Sequence, residues 1–123
     1  MPPVDRRRLD LGARGEQLAV DWYTSRGFTV LGRNWRCREG ELDLVVARDR
    51  AVVFCEVKTR RGIGFGAPVE AVTAAKQQRI RGLALQWLGA HPDRRARDLR
   101  FDVASVLATR GAAPVIEVLE GVF

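Results

Sequence analysis

The sequence has few of the residues from which proteins build disulfides and transition-metal sites. It contains two cysteines, one histidine and one methionine among 123 residues, and the cysteines lack the spacing of a metal-ligand motif. We therefore expect reduced cysteines and no disulfide. No apolar run approaches the roughly 20 residues that a membrane helix needs, and the first residues lack the apolar segment of a secretory signal. These absences predict a cytoplasmic protein without a membrane partner.

Motifs for nucleotide binding and for histidine chemistry are also absent. The glycine-rich segment at residues 62–66 has neither the Gly-x-Gly-x-x-Gly spacing nor the Gly-Lys-Ser/Thr ending of a phosphate-binding loop. We expect it to be either a plain connection or a lid that closes on nucleic acid. The single histidine, His91, stands in a predicted polar loop without a partner. His91 is expected to be structural or inert, and Asp102 to have a structural role instead of supporting a site residue.

Lysine is scarce although the chain is strongly basic. There are 19 arginines and 2 lysines, and the net charge is +6. A positive charge of this size favours a polyanionic partner such as nucleic acid, although a solvated basic surface in an arginine-rich proteome would have the same composition. The two lysines, Lys58 and Lys76, are notable because lysine can lose its proton at a catalytic site and arginine cannot. Lys76 falls in the apolar stripe of a predicted helix, where it either reaches solvent or serves a site.

The length predicts one domain with one hydrophobic core. We expect a flexible basic arm at residues 1–9 and a single domain at residues 10–123. Hydrophobic periodicity predicts the order helix, three strands, helix, two strands. The predicted helices are residues 10–26 and 68–88, and the predicted strands are residues 28–35, 39–47, 51–60, 99–107 and 114–119. This order favours an α/β fold with a mixed central sheet flanked by helices.

The ends of the predicted helices carry recognisable signals. Asp10 is expected to cap the first helix and Gly27 to end it, while Pro68 is expected to begin the second. Gly12 and Gly15 weaken the first helix by about 1 kcal/mol each relative to alanine. Close approach of the helix backbone to another element or to a phosphate would explain these two glycines.

The middle of the sequence predicts a β-hairpin. Residues 39–60 comprise two runs rich in apolar and β-branched residues, separated by a short polar break. Alternation of strand side chains places Asp43 with Val45 on one face of the first strand, and Leu42 with Leu44 on the other.

The register of this hairpin decides whether its acidic residues meet. A two- or four-residue loop places Asp43 opposite Glu56 and Glu41 opposite Lys58, whereas a three-residue loop would separate the two acids. Opposed carboxylates, with Cβ atoms about 5 Å apart, repel one another unless a cation lies between them. Carboxylate oxygens suit Mg²⁺ or Mn²⁺, and Lys58 could help to deprotonate water or stabilise developing negative charge. This arrangement predicts metal-assisted hydrolysis.

These residues also carry a family resemblance. Asp43 and the sequence Glu56-Val57-Lys58, with twelve residues between them, resemble the PD-(D/E)XK nuclease signature, although Leu42 stands where that signature often has proline. The wider pattern resembles the YraN-like family of uncharacterised bacterial proteins, which is similar to archaeal Holliday-junction resolvases. The resemblance spans nearly the whole chain, and its matching segments are residues 12–16, 34–43, 54–60, 65–66 and 100–103.

The resemblance implies a restriction-endonuclease-like core and a metal-dependent endonuclease acting on DNA, including branched DNA. The implied ligands of Mg²⁺ or Mn²⁺ are Asp43, Glu56, the backbone carbonyl of Val57 and, directly or through water, Glu16. Lys58 would position or deprotonate the attacking water. The implied catalytic set is completed on the second helix by Lys76 or Gln77, which the sequence does not separate.

Arginines near this site are candidates for phosphate contacts. They are Arg14, Arg33, Arg36, Arg38, Arg60 and Arg61. Trp35 lies among three of them and could stack on a base, but a core position is the simpler expectation. Junction cleavage requires two sites, so a homodimer would fit. Two other functions stay open, which are a non-cleaving nucleic-acid-binding module of the same fold and a structural protein whose basic face binds an acidic partner.

Overall fold

The computed structural model describes residues 6–61, 72–94 and 98–123. Its elements are α1 (Arg6–Thr24), β1 (Thr29–Cys37), β2 (Gly40–Arg48), β3 (Ala51–Arg61), α2 (Ala74–Ala90), β4 (Asp98–Ala108) and β5 (Val115–Leu119). The predicted order of helices and strands is confirmed. Within the described ranges, neither helix combines the length and the hydrophobicity that crossing a membrane requires.

The strands form a mixed sheet in the order β1-β2-β3-β4-β5. β3 and β4 run parallel, and the other neighbouring pairs are antiparallel. Two parallel neighbours need a crossover connection, which here contains α2. The predicted α/β fold with a mixed sheet is therefore confirmed, and it is consistent with a restriction-endonuclease-like core.

Each face of the sheet is covered by one helix. On one face, Leu83 and Trp87 of α2 pack in a cluster with Phe54. On the other face, Tyr23 of α1 packs in a second cluster with Leu44. Burial of an apolar stripe from each helix against the sheet supplies the main driving force for folding. The candidate site lies where the regular pairing of β2 with β3 ends between these two layers.

The start of α1 differs from the prediction. The helix begins at Arg6, so Asp10 lies inside it and does not cap it. Arginine is a good helix former, and the helix therefore continues through residues 6–9 of the predicted basic arm. Residues 1–5 lie outside the described part of the chain. At the other end, Gly27 has a φ of +84° and turns the chain after Thr24, as predicted.

The start of α2 also differs from the prediction. Thr73 is the N-cap, and its hydroxyl accepts a hydrogen bond of 3.2 Å from the backbone N–H of Lys76. Val72 precedes the helix, although it falls within the predicted range 68–88. The predicted start at Pro68 and the glycine-rich segment fall within residues 62–71, which are outside the described residues.

α2 ends two residues later than predicted, at Ala90. His91 follows as the C-cap, and its ring stacks on Trp87 with the ring centroids 4.0 Å apart. Its Nδ1 atom lies 2.7 Å from the backbone oxygen of Trp87. These contacts confirm the expected structural role of the histidine.

The β2–β3 hairpin has the register that an even-numbered loop predicts. Arg48 pairs with Ala51 across a two-residue loop, in which Asp49 adopts a φ of +54°. Positive φ at the first loop residue is typical of tight hairpin turns. The regular ladder continues back to the pair Leu44 and Cys55.

Side-chain alternation in β2 fails at one residue. Val45 belongs to the α2-side cluster and Leu44 to the α1-side cluster, as alternation requires. Leu42 was predicted to share the face of Leu44 but packs in the α2-side cluster. The ladder with β3 stops at Leu44, so the residues before it are no longer held in register with that strand. Asp43 stands at this change.

Candidate functional site

Asp43 is fixed at the end of the β2–β3 ladder. Its Oδ2 atom accepts a hydrogen bond of 2.9 Å from the backbone N–H of Val57. In a continued antiparallel ladder, this N–H would face a backbone carbonyl of β2, so the carboxylate takes the place of that acceptor. The last regular pair is Leu44 and Cys55; one further step of the same ladder would place Asp43 opposite Glu56, and the two side chains interact electrostatically.

The side chain of Glu56 is close enough to Asp43 to affect its ionisation. Burial is the main cause that raises the pKa of Asp43 to about 7, and the negative charge of Glu56 raises it further. The N–H of Val57 opposes this rise, while Glu16 adds a smaller increase. A buried carboxyl beside another carboxylate resists ionisation. Either a proton or a bound cation relieves this cost.

Glu56 is buried and has two ammonium groups beside one of its oxygens. Its relative exposure is 9%, and its Oε1 atom lies 2.6 Å from Nζ of Lys76 and 3.5 Å from Nζ of Lys58. Lys58 comes from β3 itself and Lys76 from the first turn of α2. The packing of α2 on the sheet thus brings together residues that are distant in sequence.

The two lysines have opposite pKa shifts. Burial, together with the charge of Lys76, lowers the pKa of Lys58. Burial acts in the same direction on Lys76, but the hydrogen bond with Glu56 and the charges of Glu56 and Asp43 together outweigh this effect and raise the pKa of Lys76. Lys76 is therefore the lysine that keeps its charge, and Lys58 is the one that more readily gives up a proton.

Glu16 lies near this group without joining it directly. Its Oε2 atom accepts a hydrogen bond of 3.0 Å from the side chain of Asn34, and its charge reaches Asp43. Among the described residues, no group of three or more His, Cys, Asp or Glu side chains is arranged to hold a metal ion. The donors present still suit Mg²⁺, because this ion is usually bound through only one or two protein carboxylates and keeps several waters.

Two residues predicted to lie in or beside the site, Gln77 and Glu41, contact other parts of the chain. Gln77 donates a 3.2 Å hydrogen bond to the backbone oxygen of Val72, so its amide secures the segment before α2, whereas Lys76 reaches Glu56. The predicted pairing of Glu41 with Lys58 is wrong. Glu41 pairs with Arg36 across β1 and β2, with 2.9 Å between Nε and Oε2, because β2 is paired only with β1 at that point.

The arginines proposed for phosphate contacts are spread along the surface. Arg33 donates to the side chain of Gln17 at 3.2 Å, and Arg36 is in the ion pair described above. Arg14, Arg38 and Arg61 are exposed, and Arg60 is half-buried. Arg60 and Arg61 end β3, the strand that carries Glu56. Trp35 packs against the α2-side cluster, which confirms its expected core position.

Asp102 has the structural role expected for it. It is fully buried and accepts hydrogen bonds of 2.6 Å from the Tyr23 hydroxyl and 2.9 Å from the backbone N–H of Gly121. Arg100 adds two contacts of 2.9 Å, one to each carboxylate oxygen. This network joins α1, β4 and the C-terminal segment. Sequence patterns could not indicate it, because Tyr23 and Asp102 are 79 positions apart.

The cysteines are free, as expected. Cys55 is buried beside this network, and burial raises the pKa of its thiol to about 12. Such a thiol stays protonated and unreactive at neutral pH.

Sequence reasoning missed the contacts that place Glu16. Asn34 has a φ of +50°, a conformation that asparagine tolerates better than most residues. A Cβ atom on Gly15 would overlap the hydroxyl of Thr59 on β3, so glycine allows α1 to lie close to that strand. The only sequence signal was the pair of helix glycines, one of which is explained by this close approach.

Comparisons with known proteins give a consistent result. The family model described as "Uncharacterised protein family UPF0102" matches residues 15–106. A UPF0102 protein of Clavibacter michiganensis is 53% identical over 92% of this chain and 95% of its own length. A UPF0102 protein of Nocardia farcinica is 55% identical over 92% of this chain and 88% of its own length. That of Beutenbergia cavernae is 50% identical over 95% of this chain and 98% of its own length.

Proposed function

We propose that this chain, which belongs to the uncharacterised protein family UPF0102, is a divalent-metal-dependent endonuclease that hydrolyses phosphodiester bonds in DNA. The observation that carries this proposal is the pair of half-buried Asp43 and buried Glu56 on adjacent strands, with Lys58 and Lys76 within 3.5 Å of Glu56. The net charge of +6 supports a polyanionic substrate.

The acidic residues would hold the cation. Asp43 and Glu56 would provide carboxylate oxygens for Mg²⁺ or Mn²⁺, with the backbone carbonyl of Val57 as a further donor. Glu16, which is held by Asn34, would act through a water. The ion, when bound, supplies positive charge that polarises a phosphoryl oxygen.

The two lysines would have different roles in the reaction. Lys58 would position the attacking water and accept its proton, in keeping with the lowered pKa of its ammonium group. Lys76 would keep its charge, hold the carboxylate of Glu56 in place and offset negative charge that develops on the phosphate. Arg60 and Arg61, at the end of β3, would contact the DNA backbone and make binding depend on salt.

The same proposal includes branched DNA as a substrate and a homodimer as the assembly that cleaves it. Branched DNA resembling a Holliday junction is included because of the resemblance to resolvases. Cleavage of a junction needs two sites, so we propose a homodimer for that reaction. A cytoplasmic location would fit the same substrate.

The second candidate is a nucleic-acid-binding module of the same fold that does not cut. A specific observation favours it, namely that an ammonium group already lies 2.6 Å from Glu56, where it neutralises the carboxylate. Such a module would bind DNA in a salt-dependent manner without any metal requirement.

Purified protein incubated with labelled linear, flapped and four-way DNA would separate these functions. The reactions contain Mg²⁺, Mn²⁺ or a chelator. The nuclease predicts metal-dependent products that disappear in Asp43→Asn and in Lys58→Arg, because arginine keeps the charge but cannot usefully accept a proton. Asp49→Asn is the matched control, since it makes the same change in the hairpin loop. DNA binding with no product under any metal would instead identify the non-cleaving module.

A further inference from the structure

A cavity lies between α1 and the end of β3, next to the acidic pair. Its volume is about 330 Å³, and it is lined by Leu11, Gly12, Glu16, Val57, Lys58 and Thr59. Two of these residues also contact the acidic pair, because Val57 donates to Asp43 and Lys58 lies beside Glu56. The cavity thus borders the candidate site on its α1 side.

The two glycines of α1 differ in what packs against them. Gly15 is required by the protein's own packing, because a Cβ atom there would overlap Thr59. A Cβ atom on Gly12 would meet no described atom within 4 Å. Glycine inside a helix reduces helix stability relative to alanine. The described packing gives no reason for glycine at position 12 or at position 82, and of these two residues Gly12 is the one that lines the cavity. Gly12 and Glu16 are four residues apart, so both face the cavity.

We propose that this cavity receives one nucleotide of a DNA strand, directly beside the bond that Asp43 and Glu56 would act on, and that Gly12 is where the sugar-phosphate backbone approaches the helix most closely. The proposal rests on the proposed binding of DNA and names a contact surface of that same site.

The chemistry of the lining supports a nucleotide. Thr59 provides a hydroxyl that suits a phosphate oxygen, and the amino group of Lys58 lies beside Glu56 at the border of the cavity. Glu16 accepts hydrogen bonds, so it suits a base amino group. Binding sites for small molecules have volumes of about 300–1,000 Å³, and this cavity is at the lower limit, where a single nucleotide is an appropriate occupant.

Substitution of Gly12 tests this inference without requiring cleavage. Gly12→Leu fills the cavity, and Gly12→Ala fills it partly. Gly82→Leu and Gly82→Ala are matched controls, because Gly82 also lies inside a helix and a Cβ atom there meets no described atom within 4 Å. Thermal melting followed by circular dichroism should show all four variants as stable as the unmodified chain or more so.

Binding is measured by fluorescence anisotropy with labelled duplex and four-way DNA in the presence of a chelator. We expect Gly12→Leu to bind about tenfold more weakly and Gly12→Ala less so, with both Gly82 variants unchanged. Unchanged binding in a folded Gly12→Leu or Gly12→Ala variant would overturn the inference, whether or not the protein cuts DNA. If the unmodified chain binds no DNA, the inference and the proposed function both fail. Binding that depends on Gly12 without any cleavage would support the cavity and contradict the nuclease.

Discussion

Replacement of Asp43 by asparagine should stabilise the protein while it removes the proposed activity. The pKa of Asp43 is raised to about 7, mainly by burial and then by the charge of Glu56. An ordinary aspartate has a pKa near 4, so ionisation of Asp43 in the folded protein costs about 4 kcal/mol at most. Asparagine keeps an oxygen that can accept the Val57 N–H but has no charge to bury.

The sign of the pH dependence follows from the same shift. Between about pH 4 and pH 7 the folded protein binds a proton that the unfolded chain has lost. The free energy of unfolding therefore falls as pH rises through this interval, and the full cost of the charge is present above pH 7. We expect Asp43→Asn to be more stable than the unmodified chain by about 2–4 kcal/mol at pH 8, and by about a third of that at pH 5.

Urea denaturation at both pH values, in a chelator, measures this difference. Asp49→Asn is the control and should change stability little at either pH, because its side chain is exposed in the hairpin loop. Addition of Mn²⁺ at pH 8 should stabilise the unmodified chain more than Asp43→Asn. A variant that is less stable than the unmodified chain, or a gain that does not depend on pH, would refute this reasoning.

Three other substitutions test separate contacts. Lys76→Met should lower the free energy of unfolding in a chelator by about 1–2 kcal/mol, because it removes the nearer ammonium group from the buried carboxylate of Glu56. Calorimetry should show tighter Mn²⁺ binding to this variant. Weaker binding would contradict competition between the ammonium and the metal for Glu56. Asn34→Gly keeps the positive φ but frees Glu16, so melting should be nearly unchanged while cleavage falls, and unaltered cleavage would exclude Glu16 from the site. Tyr23→Phe removes a bond to buried Asp102 and should cost about 1–3 kcal/mol in urea denaturation, with no loss of cleavage per folded molecule.

The parts of the fold that depend on local patterns could be predicted from the sequence. The apolar alternation around the Asp49-Arg50 loop determines the hairpin register, and Gly27 marks the end of α1. The helix starts were less predictable. Asp10 resembles a cap in isolation, but the arginines before it continue α1. For α2, Pro68 suggested an earlier start, whereas the hydroxyl of Thr73 caps the helix.

Residue patterns alone predicted only the strand-borne part of the candidate site, whereas Glu16 and Lys76 were expected from the family resemblance. Asp43, Glu56 and Lys58 follow from strand periodicity and register, whereas the contact of Lys76 with Glu56 depends on how α2 packs across the sheet. Glu16 depends on contacts between α1 and two different strands. Such contacts join residues far apart in the chain, and spacing within one element carries no information about them.

The most direct test of the central claim, that Asp43 and Glu56 form one cation site, is a calorimetric titration of the purified protein with Mn²⁺ at pH 8. We expect one ion per chain, with affinity reduced by at least about tenfold in both Asp43→Asn and Glu56→Gln. Failure of the unmodified chain to bind Mn²⁺, or binding that survives both substitutions, would contradict it.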